Sequence, residues 1–421
     1  MRNIAVSVRS TVWIHALACV VALGACVGDD PAASGNGTDA GAPDVSTDAD
    51  QSQDAGGTDA GCAVGLTRCA DTCVALDTSK DHCGRCGHDC GGGDCTSGAC
   101  APVELVSNYM GNNKNLAASD GTYFLTIGTE VRACSDVGCT KPVAIATFTD
   151  YPLQDGLAAG GGRVMFAASP NNPVSQTQGL YSCVDAGCVS LPGDTVIAAG
   201  KFIAVTGVEV GGSAHDRLAF GYENNGTKFI GTSKCTAASC TSPIVFSGLL
   251  PTPVTAFVAA DDTNVYFTHV DTGATKLAMC PVAGCGGTTA TVVGDLGITA
   301  GYSVRALRAS GGLVYAAILG TTPRVSRCQP TGGGGCSVFA TGIASYSAFD
   351  LDESGFYYGA DFQGAVEMCK LTGCGGGPTR LRQPVLTGTA PTYDALRVSG
   401  RYIYWTQTLG GTKSVWRLAK P

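Results

Sequence analysis

Three features of the sequence predict an all-β fold built from repeats. Twelve cysteines fall into six close pairs along the chain: Cys134/Cys139, Cys183/Cys188, Cys235/Cys240, Cys280/Cys285, Cys328/Cys336 and Cys369/Cys374, whose first members recur every 41 to 52 residues. A period of that size marks a repeat architecture. Each period holds short apolar runs punctuated by Gly, Asp, Asn and Pro, the pattern of strands joined by tight turns. The composition agrees: 60 of the 421 residues are Gly and only 14% are charged, against about 25% in ordinary globular proteins.

The clearest repeat runs from Ala256 to Val293. Ala256-Phe-Val-Ala-Ala reads as a strand, Val265 to Val270 as a second, Lys276 to Cys280 as a third and Thr288 to Val293 as a fourth, with turn residues between them. Four short strands per unit define one blade of a β-propeller. Other copies keep the frame, an apolar residue standing seven before an apolar cluster: Leu116 before Tyr123-Phe-Leu, Leu157 before Val164-Met-Phe, Leu307 before Val314-Tyr, Phe349 before Phe356-Tyr-Tyr and Leu396 before Ile403-Tyr-Trp. The copy near residues 197–240 is longer, and its register is open. These starts predict seven blades over residues 101–421. The last blade stops one strand short, and Pro102 to Val106 has the composition to complete it beside Ser414 to Leu418, closing the ring and removing its free edges. Each cysteine pair is expected to clip the turn between third and fourth strands by a cross-strand disulfide. With Cys280-Pro-Val-Ala-Gly-Cys285-Gly-Gly as its plainest copy, the pattern resembles a family of bacterial secreted propellers.

Residues 62–100 carry eight cysteines and little else that could form a core. A segment so short needs covalent staples, and the even count in a chain of 22 cysteines points to disulfides and an oxidising compartment. Eight cysteines allow 105 connectivities, so sequence alone selects none. Cys83-Gly-Arg-Cys86 with His82 and His88 is a zinc alternative, weighed below disulfides. The run Cys62-x6-Cys69-x3-Cys73-Val-Ala-Leu-Asp, then Asp81-His-Cys-Gly-Arg-Cys86-Gly-x-x-Cys90 and the closing Cys95 and Cys100, resembles the stigma-specific-protein family. His82 stands where that family usually has Asn. The resemblance covers 62–100 only and implies an extracellular module, wall- or lipid-interacting, with no catalysis.

The N-terminus reads as a signal peptide, residues 1–25. Arg2 and Arg9 frame a basic start, Thr11 to Leu23 is mostly apolar and too short to span a bilayer, and Leu23-Gly-Ala-Cys26 resembles the bacterial lipobox. Cys26 is therefore the expected lipidation site, making a membrane the first expected partner. Residues 26–61 continue as an acidic low-complexity linker, with Thr-Asp-Ala-Gly at 38–41 and 58–61; such a segment cannot bury a core. The expected location is the cell envelope, outer membrane or cell surface.

The net charge of −8 is local: residues 27–61 hold eight Asp and no Lys or Arg, while residues 62–421 hold 24 basic and 26 acidic side chains. A near-neutral body lacks the basic footprint of nucleic-acid binding. No nucleophile motif, zinc-protease motif or phosphate loop is present, and no cofactor or metal is expected. Asp350-Leu-Asp352-Glu-Ser354-Gly355, with Asp361 twelfth, partly fits a calcium loop, but the repeat frame assigns the same residues to a strand and turn. His215-Asp-Arg217 is expected to be a solvated loop, and Asn225-Gly a hairpin turn. Tyr109, Tyr151, Tyr302, Tyr346 and Tyr393 each precede a blade's first strand, and Asn171, Asn172, Gln176 and Gln178 occupy a long loop predicted on the same face. Flat aromatic rings beside amides suit glycan, peptidoglycan or peptide binding. The expected function is a non-enzymatic binding or interaction module. The alternatives are a propeller lyase or lactonase with a site at the channel mouth, and a purely structural envelope protein.

Overall fold

A computed structural model describes residues 61–109, 116–119, 121–135, 142–147, 157–160, 163–168, 179–184, 204–211, 216–224, 227–234, 244–246, 254–285, 290–298, 303–321, 323–331, 335–341, 348–360, 364–374, 377–382 and 390–421. By contacts the chain divides into two units, Met1–Gly57, which lies wholly outside the described residues, and Thr58–Pro421. All described residues lie in the second, so the signal peptide, Cys26 and the linker through residue 60 fall outside them. Among the described residues every regular element is a strand.

The N-terminal module contributes two small hairpins, β1 (Thr67–Cys69) with β2 (Thr72–Val74) and β3 (Cys95–Thr96) with β4 (Ala99–Cys100). Its eight cysteines form four disulfides: Cys62–Cys73, Cys69–Cys86, Cys83–Cys95 and Cys90–Cys100. Cys83, Cys90 and Cys100 place their sulfurs within 4.8 Å of one another. All three are in disulfides, and so are Cys83 and Cys86, the two thiols of the zinc alternative. Gly84, inside the Cys-Gly-Arg-Cys run, sits at φ +74°, and a Cβ there would lie 2.4 Å from Gly98 O. Only glycine lets the two backbones approach so closely. His82 accepts the Gly87 amide at Nδ1, 2.9 Å away, a task an Asn side-chain oxygen would also perform.

Seven further sheets follow among the described residues. After β5 (Val103–Ser107), the first blade comprises β6 (Leu116–Ser119), β7 (Thr122–Ile127), β8 (Glu130–Ser135) and β9 (Val143–Thr147). The second shows β10 (Leu157–Gly160), β11 (Arg163–Ala168) and β12 (Gly179–Val184). The third, whose register the sequence left open, is β13 (Ala204–Gly211), β14 (Arg217–Asn224), β15 (Thr227–Lys234) and β16 (Ile244–Phe246). Blade four is β17 (Val254–Ala260), β18 (Asn264–Asp271), β19 (Ala274–Pro281) and β20 (Thr291–Ile298). Blade five is β21 (Ser303–Ser310), β22 (Leu313–Leu319), β23 (Arg324–Gln329) and β24 (Gly335–Thr341). Blade six is β25 (Phe349–Leu351), β26 (Phe356–Ala360), β27 (Ala365–Cys369) and β28 (Thr379–Arg382). The last is β29 (Thr392–Ser399), β30 (Tyr402–Leu409) and β31 (Thr412–Ala419), with β5 as its fourth strand.

Every blade is an antiparallel meander, and the first strand of each neighbours the first strand of the next, with β29 returning to β6. That is a propeller ring. The apolar clusters that marked the repeats are the second strands. Tyr123-Phe-Leu, Val164-Met-Phe, Val314-Tyr, Phe356-Tyr-Tyr and Ile403-Tyr-Trp are all buried. A strand sandwiched between two neighbouring blades is covered on both faces, which is why these runs are continuously apolar rather than alternating. Outer strands differ: Val143 in β9 and Val292 in β20 remain 68% and 49% exposed.

Ring closure follows the sequence reading with a shift of one residue. The outer strand of the last blade is Val103–Ser107, paired Ser107 with Ser414, Val106 with Val415, Glu104 with Trp416 and Val103 with Arg417. Pro102 lies just before it because it has no N–H to give the ladder. In blade four the fourth strand starts at Thr291, three residues later than expected. The intervening turn is built on Gly284 N–H to Pro281 O and clipped by Cys280–Cys285. This corrects the cross-strand expectation for the Cys-x4-Cys pairs: Cys285 and Cys374 lie in turns, before their fourth strands. Only Cys328–Cys336, with its longer spacing, joins directly paired residues of adjacent strands among the described pairs. Cys134 and Cys183 are also disulfide-bonded, while Cys139, Cys188, Cys235 and Cys240 lie outside the described residues.

Candidate functional site

The predicted tyrosine face divides. Tyr151, Tyr302, Tyr346, Asn171, Asn172, Gln176 and Gln178 lie outside the described residues. Tyr109 and Tyr393 are described, and both are buried, at 5% and 2% exposure. This corrects their assignment as ligand-stacking rings, since neither offers a free ring face. Tyr109 follows the closing strand and packs in the core shared by the first and last blades. Its phenol is pushed well above the usual tyrosine range, first by burial and then by nearby Asp394. Tyr393 donates its hydroxyl to Gly364 O at 2.7 Å and accepts from Arg382 Nη1 at 3.2 Å. Its ring presses on Gly359, where a Cβ would come within 2.5 Å. The tyrosine at a blade's entry thus bolts blade six to blade seven.

Arg382 completes that bolt. It donates to Gln407 Oε1 at 2.7 Å and lies over both Trp405 and Trp416, 5.6 and 5.2 Å from their ring centroids. Trp405 also donates to Gln407, and the two indoles are nearly parallel, 9° apart.

The calcium-loop residues are engaged otherwise. Asp350 accepts Arg308 Nε from blade five at 3.0 Å and the Val398 amide from blade seven at 2.9 Å, so one carboxylate ties three blades together. Asp352 caps its own turn, accepting the Ser354 and Gly355 amides and the Ser354 hydroxyl, and pairs with Lys420 Nζ at 2.5 Å. The Ser354 hydroxyl also meets that of Tyr357, whose phenol burial pushes up to about 12. Blade four repeats the device: Asp261 caps the turn to Asn264 and accepts the Tyr266 hydroxyl at 2.6 Å. Asp361 lies outside the described residues, as does His215; Asp216 pairs with Lys234 at 3.3 Å. β14 and β15 pair up to Asn224 and Thr227, the frame expected around Asn-Gly.

The structure places a cleft elsewhere, where the cysteine module meets blades six and seven. It encloses about 410 Å³ and is lined by Arg85, His88 and Asp89 of the module, Ser354 of blade six, and Arg401 and Lys420 of blade seven, with flanking Gly87, Gly400, Ala419 and Pro421. Asp89 pairs with Arg401 at 3.6 Å, both partly exposed. The lining offers charged donors, one carboxylate and backbone groups, and suits a polar, hydroxyl-rich ligand better than an apolar one. The module segment below the cleft is firmly seated. Gly91 lies so close against the Tyr402 ring that a Cβ would clash at 2.4 Å, and Arg417 donates to Gly91 O while covering that same ring. No pattern in the sequence announced this cleft, because His88 and Lys420, which meet in it, are 332 residues apart.

No protein-family model matches the chain, and no curated protein does. Solved structures align with it at low identity. Hydrazine synthase of Kuenenia stuttgartiensis aligns at 11% identity over 74% of this chain and 96% of its own, with TM-score 0.47. The Dos1 propeller aligns at 13% identity over 73% and 79%, TM-score 0.46. BamB of Moraxella catarrhalis aligns at 10% identity over 76% and 100%, TM-score 0.41. These likenesses assign no role, and the chain's function rests on its own residues.

Proposed function

We propose that this protein is an exported lipoprotein, anchored through Cys26, that holds a disulfide-clipped propeller in the cell envelope as a binding or interaction platform for glycan, cell-wall material or protein. The observation that carries this reading is the bonding of the cysteines. Four disulfides knot the module and a clip rigidifies each described cysteine turn of blades four to six, which suits an oxidising compartment. The signal-like N-terminus, the acidic linker and the resemblance of residues 62–100 to the stigma-specific-protein family support it. A closed ring is a rigid frame, and ligand contacts then fall to its loops. Of the loop residues singled out, Tyr151, Tyr302, Tyr346, Asn171, Asn172 and Gln176 remain the candidate face, while Tyr109 and Tyr393 serve the frame.

Two measurements test it. The Cys26→Ser chain should leave the membrane fraction and lose labelling by a palmitate analogue; unchanged membrane partition rejects the anchor. The full chain should bind on a glycan and peptidoglycan array, and Tyr151→Ala with Tyr346→Ala should abolish that binding without moving thermal unfolding. Binding that survives the double change rejects the face.

A further inference from the structure

The module meets the propeller through a histidine. His88 is half-buried with both ring nitrogens against carbonyl oxygens: Nδ1 is 2.5 Å from Cys83 O and Nε2 is 2.7 Å from Lys420 O. A carbonyl oxygen only accepts, and a neutral imidazole carries a single N–H. Both contacts are hydrogen bonds only when the ring holds two protons.

The two contacts are not equivalent. Cys83 and His88 belong to one small loop, closed a second time by the Cys83 amide donating to His88 O at 2.9 Å and fixed by the Cys83–Cys95 disulfide. Nδ1 therefore keeps its proton in the neutral ring. Nε2 faces the propeller, and its proton is the one that leaves. Without it, a nitrogen lone pair opposes the Lys420 oxygen across the junction.

The charges around the ring engage one another. The module presents Arg85 and Asp89, the blade-seven hairpin Arg401, the segment after β31 Lys420, and the blade-six turn Asp352. Asp89 is engaged by Arg401 and Asp352 by Lys420, so neither acid is available to accept the histidine's protons.

We propose that His88 is a proton-dependent latch: as an imidazolium it fastens the cysteine module to the last blade, and its deprotonation releases that fastening. The latch acts near the ring's seam. Cys90–Cys100 ties the segment seated on Tyr402 to the residues leading directly into β5, the strand that closes the propeller. The fastening needs the proton on Nε2 and is lost when that proton leaves.

Selective 15N labelling of the five histidines in the full chain tests this directly. At pH 5 both His88 ring nitrogens should be protonated, with Nε2 losing its proton first as pH rises. The Lys420 amide, which donates to Arg401 O at 2.8 Å, reports the junction. Its hydrogen exchange, corrected for intrinsic rate, should be about tenfold faster at pH 8 than at pH 5, the scale of one charge-assisted hydrogen bond. His88→Gln should abolish that pH response and His82→Gln should keep it. A singly protonated His88 at pH 5, or an unchanged response in His88→Gln, overturns the latch. If His88→Gln does not fold, the ring-nitrogen measurement on the unaltered chain decides alone.

Discussion

The cysteine module and the last blade pack against each other, yet they are stabilised by opposite means. In the module the buried side chains are cysteines: Cys69, Cys83, Cys90, Cys95 and Cys100 are its buried apolar groups. In blade seven they are large and carbon-rich, with Leu396, Ile403, Tyr404, Trp405 and Val415 all fully buried. Cys83, Cys90, Cys95 and Cys100 join the blade's set in one continuous core. A short segment that cannot enclose its own apolar centre uses covalent loops to restrict the unfolded chain. A blade flanked by two others excludes water through packing; the last blade has no cysteine, and a clip in another blade closes only a turn. The lesson is that cysteine content misleads about where sulfur matters. The propeller has more cysteines than the module and depends on them less.

The contrast is broken most severely at the seam, where both regions meet. A chain beginning at Ala101 keeps β5 and should retain a closed ring, whereas one beginning at Gly111 leaves the edge of β31 unpaired. The second should show much the lower unfolding temperature and a tendency to aggregate in calorimetry and light scattering. Equal behaviour would mean that β5 is dispensable to closure. Next in size, Trp405→Ala removes the largest fully buried side chain of the core. It should destabilise the ring by about 3–5 kcal/mol in denaturant unfolding.

Replacing Cys90 and Cys100 together by Ala opens a loop of sequence separation 10, and should cost about 3 kcal/mol, with loss of protection across the module in hydrogen exchange. The same change at Cys369 and Cys374, separation 5, should cost about 2 kcal/mol or less and leave the ring folded. If that blade clip proves as damaging as the module's, the division between sulfur-held and carbon-held regions is wrong.

Much of the frame was legible because it repeats. A period carried by cysteine turns and by clusters such as Phe356-Tyr-Tyr needs no tertiary information, since a strand buried on both faces must be apolar along its length. The closing strand was legible for the same reason: a three-stranded last blade and a stray β-like segment at the other end of the chain imply each other. Tyr109 and Tyr393 were misread because position in a repeat does not reveal whether a ring points at solvent or at the neighbouring blade. Tyr393 lies where expected in sequence, yet Gly359 leaves room for its ring and Arg382 meets its hydroxyl.

By itself, then, the sequence determined the β repeats, the order of the blades, the seam and the need for disulfides in residues 62–100, because each follows from local periodicity or from a count. Only the tertiary structure decided which of 105 pairings the module adopts, that Asp350 ties three blades together rather than serving a calcium loop, and that His88 reaches Lys420. Those outcomes depend on which groups, hundreds of residues apart, the ring brings within hydrogen-bonding distance as it closes. No pattern confined to one stretch of chain encodes that distance.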